Sequence, residues 1–209
     1  AHSMPLGGGI HRISSDTASE AACLLVKGKA VKGVSPPHGF GAGALTYARQ
    51  VAGEVILGGP LPSYQSKAME LGSEYEATLR EEYAFLNGVE VEEVGMVQVL
   101  EGDRVIAGYS PDGLIGKDGL AEIKTRQPEK LIALMLGGPI PQDEYVQGQF
   151  GLWATGREWI DHVAGYPGMQ SYTRRVGRDE ETIAQIEEAV VHFVGYVDEI
   201  LAEVEALAA

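Results

Sequence analysis

Two kinds of apolar spacing divide this chain. Intervals of three and four predict helices over Leu45–Leu57, Ser66–Leu86, Gln142–Trp153 and Asp179–Leu207. Leu45, Ala48, Val51, Ala52, Val55 and Ile56 mark the first, which Gly58-Gly59-Pro60 ends. Tyr75, Leu79, Tyr83 (beside Glu82) and Leu86 form the stripe of the second, stopped by Asn87-Gly88. Val146, Phe150 and Trp153 mark the third, with Pro141 in its first turn. Ile183, Ile186, Val190, Phe193, Val197, Leu201 and Val204 mark the fourth, whose expected work is core packing. A shorter apolar run, Ala21 to Val26, follows Ser15 and Asp16, either of which can cap a helix.

Strand-like runs fill the middle. Val94–Leu100 and Val105–Tyr109 flank a turn at Glu101–Arg104, and Leu114-Ile115 pairs with Leu120–Lys124. Glu158–Gly165 and Met169–Arg175 flank Tyr166-Pro167-Gly168. The central runs predict one small sheet flanked by helices, a mixed α/β (α+β) domain over residues 5–209, with the chemistry on one edge of the sheet. Ala1-His2-Ser3-Met4 reads as an expression scar.

Charge changes this picture. The net charge is −14, and residues 179–209 carry nine acids with no Lys or Arg. Residues 12–49 run the other way, with Arg12, Lys27, Lys29, Lys32 and Arg49 against Asp16 and Glu20. An acidic exterior around a locally basic nucleic-acid path fits this balance, as does an acidic protein that never meets DNA. Cys23 is the only cysteine, which excludes a disulfide within the chain and a four-cysteine cluster. No apolar run is long enough to span a bilayer and no secretory leader is visible, so a reducing, intracellular setting is expected. Residues 27–43, with Pro36-Pro37 at their centre, read as a loop, either a strap over phosphates or an ordinary solvated one. No role is assigned to His38 in it.

The chemistry gathers in Ser110–Arg126, SPDGLIGKDGLAEIKTR. Turns at Pro111–Gly113 and Lys117–Gly119 fold Asp112 back toward Glu122, and Lys124 leaves the strand on the same face as Glu122. Two carboxylates and a lysine on one face suit metal-assisted phosphodiester hydrolysis: acids hold Mg²⁺, and the lysine orients water or steadies charge on phosphorus. The bare spacing also suits ordinary turns before a solvated strand end.

SPDGL with AEIK resembles the core of the PD-(D/E)xK nucleases, and in particular the phage lambda exonuclease (YqaJ-like viral recombinase) family. Further motifs follow in the family's order: Arg12 with TASEA at Thr17–Ala21, Gly72 to Glu76 in ELGSEYEA, and Gln147 in YVQGQFGLW. The resemblance implies a restriction-endonuclease-like fold and Mg²⁺ (Mn²⁺ substituting), one or two ions, on Asp112, Glu122, the Ile123 carbonyl and Glu76. Glu74 competes with Glu76 but does not fit the motif. Lys124 is then the water-orienting residue, Gln147 faces the active site, and Arg12 and Ser19 hold a DNA phosphate. The family's tyrosine before the glutamine falls on Glu144 here, leaving Tyr145 without an assigned role. The resemblance further implies a 5′-to-3′ exonuclease on linear double-stranded DNA that releases 5′-mononucleotides. A ring-shaped homotrimer, a single-strand annealing partner and a phage or prophage origin in a bacterial cytoplasm complete what it implies. A sequence- or structure-specific endonuclease of the same fold, or a non-catalytic DNA-binding protein, are the alternatives.

Overall fold

The computed structural model describes residues 39–59 and 67–209, the backbone alone for 67–74. Helices α1 (Ala42–Leu57) and α2 (Lys67–Asn87) precede five strands. These are β1 (Val91–Glu92), β2 (Val97–Glu101), β3 (Arg104–Tyr109), β4 (Gly113–Ile115) and β5 (Gly119–Thr125). Helices α3 (Pro128–Met135) and α4 (Gln142–Thr155) lead to β6 (Trp159–Gly165) and β7 (Tyr172–Gly177), and then to α5 (Glu180–Ala208).

The strands form two sheets, not the one expected. β2 and β3 pair as a separate hairpin, while the main sheet runs β1-β4-β5-β6-β7. Pro111 separates them: with a fixed φ and no N–H it cannot continue the β3 ladder, and the chain crosses to the other sheet. β5 is an interior strand, and its residues past Ala121, which carry the candidate chemistry, pair with β6 alone because β4 ends there. β5 and β6 are parallel and every other pair is antiparallel. A parallel pair needs a long crossover, which α3 and α4 supply.

The alternation of β5 sorts its side chains onto two cores. Ala121 and Ile123 face Leu79 and Tyr83 of α2. Leu120 faces the opposite way, into a cluster with Phe150 of α4, Ile160 of β6 and Ile183 and Ile186 of α5. A third cluster joins α1 (Ala44, Ala48, Val51, Ala52) to Phe193 and Val197 of α5. The predicted stripe of α2 holds through Tyr83, but Leu86, in the last turn, is 61% exposed. The stripe of α5 likewise leaves the core, with Val204 exposed. Asp179 caps α5 by accepting from the Thr182 N–H.

Other boundaries move by a few residues. β2 starts at Val97, not Val94, and β7 runs Tyr172–Gly177, not Met169–Arg175. Pro141 is the N-cap of α4 and lies just outside its first turn. Helix α3 was not expected, although Pro128 opens it and Leu131 is fully buried in it. Arg174, Arg175 and Arg178 bond within the molecule. Arg174 donates to the Gly138 carbonyl, Arg175 to Asp161 and Arg178 to the Leu152 carbonyl. Among the described residues no helix is long and apolar enough to cross a membrane.

Candidate active site

Asp112 and Glu122 meet through strand register. The β4–β5 ladder ends at Gly113↔Ala121, so the next step sets Asp112 against Glu122. There the Asp112 side chain takes the place of the missing ladder partner. The Ile123 N–H donates to its Oδ2 at 2.7 Å. Arg80 of α2 fixes the same turn by donating to the Asp112 carbonyl at 2.7 Å. Two residues along β5, as its period requires, the Lys124 Nζ stands 2.7 Å from the Glu122 Oε1. Tyr109, fully buried on β3, donates to the Glu122 Oε2 at 3.2 Å. That ring lies so close to α4 that a Cβ on Gly151 would sit 2.6 Å from it, so only glycine fits there.

These carboxylates share a poorly solvated space. Burial pushes Glu122 up to about 7, and the neighbouring Asp112 adds to this; Lys124 and the Tyr109 hydroxyl oppose it. Asp112 is also raised, first by burial and then by the negative charge of Glu76, against the pull of the Ile123 N–H and Lys124. Glu76 thus acts on the site from α2. Among the described residues no three His, Cys, Asp or Glu side chains are gathered closely enough to hold a metal. The donor chemistry nevertheless fits a hard divalent cation. Two desolvated, mutually repelling carboxylates are what such an ion relieves, and all the donors on offer are oxygens.

A row of polar residues crosses the sheet at this level. Glu122 is in register with His162 on β6, and His162 with Arg174 on β7. The preceding row, Leu120, Ile160 and Val176, is apolar and packs under α4 and α5. His162 is buried, and a Cβ on Gly148 of α4 would lie 2.9 Å from its Nε2. Burial, and then Lys124, pushes its pKa down to about 4. The unfolded chain then binds a proton that the fold refuses, so stability falls as pH drops from 6.5 to about 4. His162→Gln should flatten that part of the melting-temperature profile relative to the wild type. Parallel profiles would rule out this contribution.

The remaining predicted residues separate into three groups. Gln147 is buried on α4, one turn before Gly151 and so on the face turned to Tyr109. Gln149 instead bonds the Gly177 carbonyl and the Asp179 N–H, a structural task. Tyr145 is committed elsewhere, donating to Asp179 at 2.9 Å, and Glu144 pairs with Arg126. Arg12, Ser19 and His38 lie outside the described residues, as do residues 27–38 of the proposed loop. Three residues were missed: Tyr109, His162 and Arg126. Only Arg126 had a local signal, since Glu122-x-Lys124-x-Arg126 continues one strand face.

The fold has known counterparts. An alkaline exonuclease from Laribacter hongkongensis (LHK-Exo) is similar over 96% of this chain and 94% of its own, at 26% identity and a TM-score of 0.74. Its complex with dAMP is similar over 95% and 93%, with the same identity and a TM-score of 0.75. A phage-related exonuclease from Haemophilus somnus 129PT shares the fold at 13% identity, covering 92% and 96%, with a TM-score of 0.68. No curated protein sequence matches the chain. The YqaJ-like viral recombinase domain matches residues 42–158, more than half of the chain and every described residue of the site except His162 and Arg174. With its PD-(D/E)xK-type core and this match, the chain belongs to the YqaJ-like viral recombinase domain family.

Proposed function

We propose that the protein is a Mg²⁺-dependent exonuclease that digests one strand of linear duplex DNA from its 5′ end and releases 5′-mononucleotides. That it is a nuclease acting on DNA follows from its family and from the likeness to alkaline exonucleases. The observation that supports metal-assisted hydrolysis is the join of Asp112, Glu122 and Lys124 on β5 and the turn before it; the 5′ polarity and the mononucleotide product are what the family resemblance implies.

Asp112, Glu122, the Ile123 carbonyl and Glu76 are the groups that would hold one or two divalent ions. The N–H and C=O of a strand residue leave on the same side, so the Ile123 carbonyl shares the gap into which its N–H donates to Asp112. A bound Mg²⁺ would supply charge for the phosphoryl oxygens and lower the pKa of the attacking water. Lys124 orients that water and faces the charge that develops on phosphorus. Tyr109 holds the Glu122 carboxylate in place, and Ile123 and Arg80 hold Asp112. Gln147 reaches the phosphate or the water from α4. Arg12 and Ser19 grip the 5′-terminal phosphate. A ring-shaped homotrimer with duplex through its centre would turn the acidic α5 outward, and a single-strand annealing protein would take up the exposed strand. The setting is the cytoplasm of a bacterial cell carrying the phage or prophage.

Linear duplex labelled separately at its 5′ and 3′ ends tests this. Rapid loss of the 5′ label alone, with Mg²⁺ (or Mn²⁺) and not with chelator, is the expected result. Retention of both labels, or cutting of covalently closed circles, would reject it.

A further inference from the structure

Among the described residues, three buried side-chain nitrogens have no hydrogen-bond partner: the Nε of Arg126 and both ring nitrogens of His162. Buried polar atoms are nearly always satisfied, so each such atom calls for an explanation. All three belong to residues that wall one cavity, and Glu122 and Lys124 wall it too. His162 is 8% exposed, while Lys124, Tyr172 and Arg174 around it are half-buried, so the cavity reaches toward the surface.

The geometry points to a phosphate-binding subsite here, with Arg126 and His162 holding one non-bridging oxygen beside the proposed catalytic residues. The reading rests on the nuclease function proposed above. The cavity measures about 10 Å³, room for a single oxygen-sized group. A neutral imidazole offers one N–H, and the Arg126 Nε–H is a second donor. Lys124, Arg126 and Arg174 bring three positive charges to the walls, against Glu122 and Glu144. The Glu144 carboxylate holds the terminal nitrogen of Arg126 and leaves its Nε for an incoming oxygen. Glu144 therefore holds the guanidinium in place, while its negative charge opposes an incoming phosphate. Arg126 extends the Glu122–Lys124 face by one further step, so a strand lying along β5 would meet it directly after Lys124.

The test uses the full chain with isotope-labelled arginine, in chelator so that no DNA is cut. Inorganic phosphate, deoxyadenosine monophosphate and deoxyadenosine are titrated separately while the arginine Nε–H signals are followed by NMR. Both phosphate compounds should shift one signal saturably, and that signal should be missing in Arg126→Lys. A stronger effect of the nucleotide assigns the site to the DNA strand end, whereas equal effects assign it to phosphate alone. Glu144→Gln should tighten half-saturation about threefold, because it removes a negative charge that repels the phosphate while keeping an acceptor for the Arg126 terminal nitrogen. No shift with either phosphate compound, an equal shift with deoxyadenosine, or weaker binding by Glu144→Gln would overturn the subsite and leave water as its occupant. DNA digestion without the shift removes the subsite and keeps the nuclease. The shift without digestion removes the nuclease and keeps the subsite.

Discussion

Lys124→Ala should lower cleavage of linear duplex by about 10²- to 10⁴-fold, the usual contribution of a positioned proton-handling group, while duplex binding remains measurable. Two losses combine. The ammonium proposed to orient water disappears, and Glu122, only 2% exposed on its side chain, loses the cation at 2.7 Å that offsets its burial. Glu122 should then hold its proton more tightly than its present value of about 7 allows. A carboxyl group that stays protonated is a poor ligand for Mg²⁺. Metal binding should therefore weaken together with the rate, with half-saturation moving to higher Mg²⁺, and a rise in pH should restore part of the metal binding but none of the chemistry. Parallel measurements of label release and of gel-shift binding, across Mg²⁺ concentration, separate these effects. Cleavage near the wild-type rate would remove Lys124 from the mechanism.

Asp161→Ala should destabilise the fold by about 2–3 kcal/mol, the range for breaking a buried hydrogen-bonded charge network. The Asp161 carboxylate, on the face of β6 turned to α2, accepts from the Tyr83 hydroxyl at 2.5 Å and from two nitrogens of Arg175 at 2.8 Å. Arg175 also lies over the Trp159 ring, 3.4 Å from its centre, and its side chain is 57% exposed, so water would satisfy much of it. Tyr83 is 2% exposed and would not be rescued. Tyr83 lies seven residues after Glu76, two turns along the same face of α2. Loosening it should therefore also move Glu76 and lower activity, whereas Asp161→Asn should lose less of both. Urea melts and label release on the same samples decide the matter. A melt unchanged by Asp161→Ala would show that α2 is held by its apolar contacts alone.

The meeting of Asp112, Glu122 and Lys124 was legible because it is local. Asp112, Glu122 and Lys124 lie on one hairpin, where period-two alternation and two glycine turns fix their relation without help from the rest of the chain. Tyr109 was not legible as a partner of Glu122, because the hairpin that carries it belongs to another sheet. His162 reaches the site only through the parallel register of β5 and β6, which the crossover helices determine and no local pattern encodes. Helix α3 escaped because eight residues are too few to display a period, even with Pro128 at its start. The split into two sheets had a signal at Pro111, which was read as a turn within one sheet. The long helices were predicted well because each carries apolar residues at helical spacing, although the stripes leave the core at Leu86 in α2 and Val204 in α5.

The interior position of β5 bears on how the molecule breathes. A strand flanked on both sides gives up its amide protons only when its neighbours part, and the parallel pairing with β6 closes a long loop that forms late. The amides of Glu122 and Lys124, which face β6, should then be among the slowest to exchange with deuterium, whereas the Ile123 amide, bonded to the Asp112 side chain past the end of β4, should exchange sooner. The buried carboxylate of Glu122 is built into the strand expected to open last, so partial denaturation should fray the helices before it scatters the candidate site.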